Sequence, residues 1–385
     1  MEIDIGRGKK ARQAYGFDDI AIVPSRRTRD PQDVDIGWKL GPHLLELPLL
    51  GSAMDGVISP ETAIKLGELG GIGVLNLEGI FTRYENAEAQ LEKIAKLPKE
   101  KATAGMQEIY AQPVEPRLIA QRVEVIKSRR VPAVGSLTPQ RVRDYYEIAL
   151  AAGLDILVIQ GTVVSAEHVS SNGQALNLKE FIASLPIPVI VGGCASYQTA
   201  LHLMRTGAAA VLVGVGPGAA CTTRGVLGVG VPQATAISDA SAARVQHLLE
   251  TGQYVNVIAD GGMRTGGDIA KAIACGADAV MVGSPLARAK EAPGRGFHGG
   301  MATFHPTLPR GARVATEQVA TLEEIVIGPA RENDGTLNLM GALRTAMATC
   351  GYDSIHDFQK AEIILAPSIK TEGKGLQQAQ HVGMG

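Results

Sequence analysis

Eight short runs rich in Val, Ile and Leu constrain this chain more than any other feature: Leu47–Ala53, Gly71–Asn76, Val131–Ser136, Asp155–Gln160, Pro188–Gly193, Ala209–Gly214, Val255–Ala259 and Ala277–Val282. Each is bounded by Gly or Pro and read as continuously apolar, the pattern of parallel strands buried on both faces. Between them lie amphipathic segments such as Thr138–Ala152, Tyr197–Thr206, Ala240–Thr251 and Gly267–Cys275, many closed by a Gly-Ala or similar C-cap. Eight strands alternating with helices predict an α/β fold of the TIM (β/α)8-barrel class. Barrels with insertions reach 385 residues as one unit, so residues 1–385 are expected to form a single domain.

Two stretches break the rhythm. An excursion spans about 78–130, and a flap region spans about 294–337, its Gly/His/Pro-rich part at Gly294–Gly311. The second follows the last strand, on the face where barrel active sites form, and is expected to act as a lid. The polar segments before Tyr15 and from about 367 to 385 are expected to be mobile.

Lys plus Arg minus Asp plus Glu is 37 − 39 = −2, which argues against nucleic acid or an acidic membrane as partner and favours a small molecule. No run approaches the roughly 20 apolar residues needed to cross a bilayer. The four cysteines, Cys194, Cys221, Cys275 and Cys350, lack CxxC spacing, and the reading is a reducing, cytoplasmic setting.

After the sixth strand comes Gly214-Val-Gly-Pro-Gly218-Ala-Ala-Cys221-Thr-Thr-Arg224. Its glycines allow close approach to a ligand, and its thiol stands where barrels place nucleophiles. A buried structural cysteine is the alternative. Asp260-Gly-Gly-Met-Arg264 and Gly283-Ser284 follow strands seven and eight, the habitual phosphate site of this fold. Asp260 suits ribose hydroxyls, or else caps a turn.

Ser52-Ala-Met-Asp55, Gly70-Gly-Ile-Gly73, the Cys221 loop, Gly228-Val-Gly-Val-Pro-Gln233 and Ile258-Ala-Asp-Gly-Gly262 occur in order. From about Phe17 to Arg344 the chain resembles the IMP dehydrogenase/GMP reductase family. The resemblance implies that Cys221 attacks C2 of a purine nucleotide, with Thr223 beside the adduct. It places Ser52, Met54 and Gly218 against the nucleotide, Asp260 on the ribose, and Gly262, Gly283 and Ser284 on the phosphate. The backbones of Met301 and Ala302, in His298-Gly-Gly-Met-Ala302, would meet the base edge. A homotetramer or homo-octamer is implied, as is K+ or another monovalent cation at the carbonyls of Gly216, Gly218 and Cys221.

The chain also departs from the family. The regulatory CBS modules are expected to be absent, and Ala219 replaces a phosphate-binding Ser. Gln160, Gly161 and Cys194 occupy the place of the nicotinamide-ribose contacts, Gln160 for an Asp and Cys194 near an expected Asn. The Arg-Tyr pair that activates water in dehydrogenases is missing, so His305 and Arg310, with Glu317 further out, are candidate acid–base groups. The expected activity is oxidation of IMP to XMP with NAD. NADPH-dependent reduction of GMP to IMP is the alternative, and a non-catalytic purine-nucleotide-binding relative a third.

Overall fold

The computed structural model describes residues 2–169, 176–300, 305, 307–369, 372–380 and 382. All eight apolar runs form strands: β1 (Leu49–Gly51), β2 (Ile72–Asn76), β3 (Val134–Leu137), β4 (Ile156–Gln160), β5 (Val189–Cys194), β6 (Ala210–Val213), β7 (Asn256–Asp260) and β8 (Ala279–Val282). They pair in parallel and in sequence, β8 returning to β1, to close a barrel. The fold is a (β/α)8 barrel. Prominent among the helices between and after the strands are α1 (Pro60–Glu68), α2 (Pro116–Ser128), α3 (Val142–Ala151), α4 (Leu178–Ala183), α5 (Tyr197–Met204), α6 (Gln233–Thr251), α7 (Gly266–Ala274) and α8 (Leu339–Thr349).

Alternation along each strand splits the core into two shells. Leu50, Val74, Val158, Leu212, Ile258 and Met281 fill the barrel interior, while neighbours such as Leu75, Ile159, Val213 and Val280 pack outward against the helices. Gly73 is required here: a Cβ would stand 2.4 Å from Ala63 Cα of α1. The antiparallel pair Trp38–Leu40 and His43–Leu45 plugs the N-terminal end, with Trp38, Leu40 and Leu45 joining the interior cluster. Trp38 Nε1 donates to Leu47 O at 2.9 Å, and Asn256 Nδ2 donates to Lys39 O at 3.0 Å.

Helix boundaries differ from expectation at two starts. α3 begins at Val142 because Glu78 holds Thr138 in a turn, accepting its N–H at 2.5 Å and its hydroxyl at 3.2 Å. α6 begins at Gln233, directly after Pro232, so the Gly-Val-Pro-Gln motif opens that helix. The N-terminal segment, expected to be mobile, contains the hairpin Glu2–Gly6/Lys9–Arg12, whose Arg12 pairs with Asp239 of α6. In the C-terminal stretch, the described residues include a short helix, Gly375–Ala379.

The two interruptions meet each other. The flap region contains the antiparallel pair Phe297–Gly299 and Arg313–Ala315. The excursion contributes helices Ala87–Lys96 and Ala102–Tyr110 besides α2. Arg313 Nη1 donates to Ile94 O and Gln107 Nε2 donates to His305 O, both at 2.6 Å, so the excursion supports the flap from outside the barrel.

Candidate active site

Two residues beyond the last interior layer, strand alternation brings Ser52, Gln160, Gly214, Asp260 and Gly283 to the C-terminal mouth. All five line a cavity of about 720 Å³, within the range of small-molecule sites. Met54, Gly161, Gly216, Gly218, Cys221, Gly262, Ser284 and Arg310 line it too. The structure thus brings together most of the residues singled out from sequence.

Cys221 is half-buried, and its thiol donates to Thr223 Oγ1 at 3.0 Å. Thr223 lies fully buried beneath it. Burial pulls the Arg224 guanidinium below its usual value, with neighbouring Cys221 acting in the opposite direction. Arg224 is held by the carbonyls of Val215 at 3.2 Å and Val231 at 2.7 Å. The other three cysteines are buried, and burial pushes Cys194 up to about 12 and Cys275 up to about 11. Cys221 therefore differs from them in access.

Asp260 ends β7 with its carboxyl pushed up to about 7 by burial, against the hydrogen bond that Gln160 Nε2 donates at 3.0 Å. Gln233, which the sequence marks only as the end of the Gly-Val-Pro-Gln motif, donates Nε2 to the carbonyls of Val213, Asp260 and Gly261 at 3.2, 3.0 and 3.1 Å, stitching the ends of β6 and β7 together.

The flap segment is fastened to the cysteine loop. Thr222 N–H donates to Arg310 O and Ala312 N–H to Ala220 O, both at 2.8 Å, around a bridge between Cys221 and Gly311. This holds Arg310 at the cavity wall.

Several expectations need correction. His305 is exposed, and its Nδ1 accepts the backbone N–H groups of Thr307 at 3.3 Å and Leu308 at 2.9 Å. The ring serves its own turn and does not line the cavity. Cys194 belongs to the outer core at 1% exposure, because the register shifts between Gly192 and Cys194 and turns it away from the mouth. Its thiol donates to Leu212 O at 3.4 Å, and it is withdrawn as a cofactor contact. Glu317 is exposed and outside the cavity lining. Met301 and Ala302 lie outside the described residues.

Of the carbonyls expected to hold a cation, that of Gly218 already accepts Cys221 N–H at 3.0 Å, keeping one lone pair. Arg224 brings fixed positive charge beside Gly216, where an added Cβ would meet its Cγ at 2.7 Å.

Fold and site together define a (β/α)8-barrel protein whose polar groups and accessible thiol converge at the C-terminal ends of the strands, as in enzymes of this architecture. The chain belongs to the IMP dehydrogenase/GMP reductase family of oxidoreductases: the family's domain model matches residues 14–318. An uncharacterized oxidoreductase of Mycobacterium tuberculosis is 48% identical over 93% of this chain and 98% of its own length. The inosine-5'-monophosphate dehydrogenase of Cryptosporidium parvum is 33% identical over 74% of this chain and 71% of its own length. A crystal structure of an IMP dehydrogenase/GMP reductase-like protein from Corynebacterium glutamicum superposes with a TM-score of 0.91 at 42% identity, covering 95% of this chain and 98% of that one. No helix among the described residues is long and apolar enough to cross a membrane.

Proposed function

We propose that the protein oxidises IMP to XMP with NAD in the cytoplasm, as a homo-oligomer of single barrel domains without CBS modules. The carrying observation is the half-buried Cys221 thiol on the wall of a cavity that also displays Asp260, Gly262, Gly283 and Ser284. That arrangement suits a ligand with a base at the thiol, a ribose at Asp260 and a phosphate at the ends of β7 and β8. Ser52 and Met54 flank the nucleotide, and Gly218 lies beside it.

The Cys221 thiolate adds to C2 of the purine, and the C2 hydrogen departs as hydride, leaving a thioimidate on sulfur. Bound NAD supplies the hydride acceptor, with Gln160 and Gly161 on its side of the cavity. Thr223 supports the sulfur by its hydroxyl. Water then attacks C2, the C–S bond breaks, and XMP and the free thiol result. Arg310, held beside Cys221, orients that water.

Reductive deamination of GMP is the second reading. It needs no water, which accords with a flap whose His305 ring turns back onto its own chain and away from the cavity. Incubation with IMP plus NAD, and separately with GMP plus NADPH, decides between them. XMP with NADH is the expected outcome, whereas IMP and ammonia from GMP would reverse the assignment. Tight IMP binding with no product from either mixture would leave a binding protein.

The carboxyl of Asp260 gives a pH test. Ribose hydroxyls donate to the ionised form, so inosine, which lacks phosphate, should bind more tightly as pH rises and level off above about 7. Below that, affinity should fall by up to about tenfold per pH unit. Titration calorimetry of wild type and Asp260→Asn checks this, the variant losing the slope.

A further inference from the structure

A buried histidine of the flap region stands at the cavity wall and takes no part in the covalent chemistry. His298 is 3% exposed, in the strand Phe297–Gly299. Its Nε2 lies 2.8 Å from Ser284 Oγ and its Nδ1 2.9 Å from Thr316 Oγ1. Ser284 and His298 line the cavity, while Thr316 stands behind them. On the far side of the ring, Asp55, Tyr110 and Arg313 share a small void of about 20 Å³ with His298. Among the described residues no carboxylate pairs with the imidazole, and Tyr110 donates its hydroxyl to Asp55. Burial pulls the imidazole down to about 4, so the ring is neutral near pH 7.

A neutral imidazole has one donor and one acceptor nitrogen, so the chain of three groups runs in one of two senses. If Thr316 donates to Nδ1, then Nε2–H donates to Ser284 Oγ, and the Ser284 hydroxyl proton is free to point into the cavity. In the opposite sense Ser284 spends its proton on Nε2 and offers the cavity only lone pairs. An oxyanion at this corner is attracted by the first arrangement and repelled by the second.

We propose that Thr316, His298 and Ser284 form an oriented relay that holds the Ser284 hydroxyl as a donor to the phosphate of the nucleotide. His298 and Thr316 are then positioning residues, and the relay compensates for the hydroxyl missing at Ala219. This rests on the phosphate corner proposed above.

The test compares IMP with inosine, which differ only by phosphate, in calorimetric titrations at pH 8. Thr316→Val removes the hydroxyl that selects the tautomer without touching the cavity wall. It should lower the preference for IMP over inosine by roughly tenfold while inosine affinity stays constant, and Thr316→Ser should restore the preference. An unchanged preference, or equal loss for both ligands, would overturn the relay. Imidazole 15N shifts of His298, assigned with His298→Phe, should show the proton on Nε2 in the IMP complex. A protonated ring or the Nδ1–H tautomer would overturn it as well. If the wild-type protein binds IMP no more tightly than inosine, the fault lies in the phosphate corner itself.

Discussion

Cys221→Ser should lower turnover by about 10⁴-fold or more while leaving IMP affinity within a few-fold of wild type, because the covalent step has no substitute. The serine hydroxyl would still reach Thr223, so the loop should keep its shape. Its alcohol is a far weaker nucleophile than a thiolate near neutral pH. The same chemistry makes alkylation selective. Only Cys221 combines access with polar neighbours, since Cys194, Cys275 and Cys350 are buried. One equivalent of iodoacetamide should therefore label Cys221 and stop turnover, and prior saturation with IMP should protect it. Peptide mass mapping checks the label. Equal labelling of a second cysteine, or a labelled protein that still turns over, would count against this assignment.

The second large effect concerns stability, at the opposite end of the barrel. Asp278, directly before β8, accepts Arg244 Nη1 at 2.7 Å and Val257 N–H at 2.7 Å through Oδ2. Its Oδ1 accepts Tyr254 Oη at 2.6 Å and Gln359 Nε2 at 2.9 Å. The Arg244 and Asp278 side chains are only 7% and 8% exposed, and the guanidinium lies 5.0 Å over the Tyr254 ring. Asp278→Ala leaves Arg244 buried without its counter-ion, a loss of about 3–5 kcal/mol. For a chain of this size that lowers Tm by roughly 5 °C in differential scanning calorimetry. Replacing both partners with apolar residues, Arg244→Met and Asp278→Leu, should recover much of the loss. Turnover below Tm should be unchanged, because the network is far from the mouth.

The barrel was readable because strands buried on both faces need unbroken apolar runs, and loops at their C-terminal ends need glycine. Cys221 and Asp260 could be placed from that logic alone, Asp260 at the C-terminal end of its strand and Cys221 in the glycine-rich loop that follows the sixth. What escaped depends on distant partners. Gln160 stands out in sequence as an amide at the end of β4, but only the folded chain shows it bonded to Asp260, 100 positions away. Cys194 was misplaced because a local register shift between β5 and β6 reverses which way it points. His305 offered a suitable titratable group, yet nothing in the sequence announces that its ring turns back onto Thr307 and Leu308. His298 was visible only as part of a motif, since its role depends on Ser284 and Thr316 meeting it from two sides.

The covalent role of Cys221 is tested most directly by acid-quenching the protein during turnover with IMP and NAD and mapping the adduct by mass. A purine nucleotide is expected on the peptide containing Cys221, absent when NAD is omitted and absent in Cys221→Ser. Steady turnover by Cys221→Ser, or an adduct on a different residue, would contradict it.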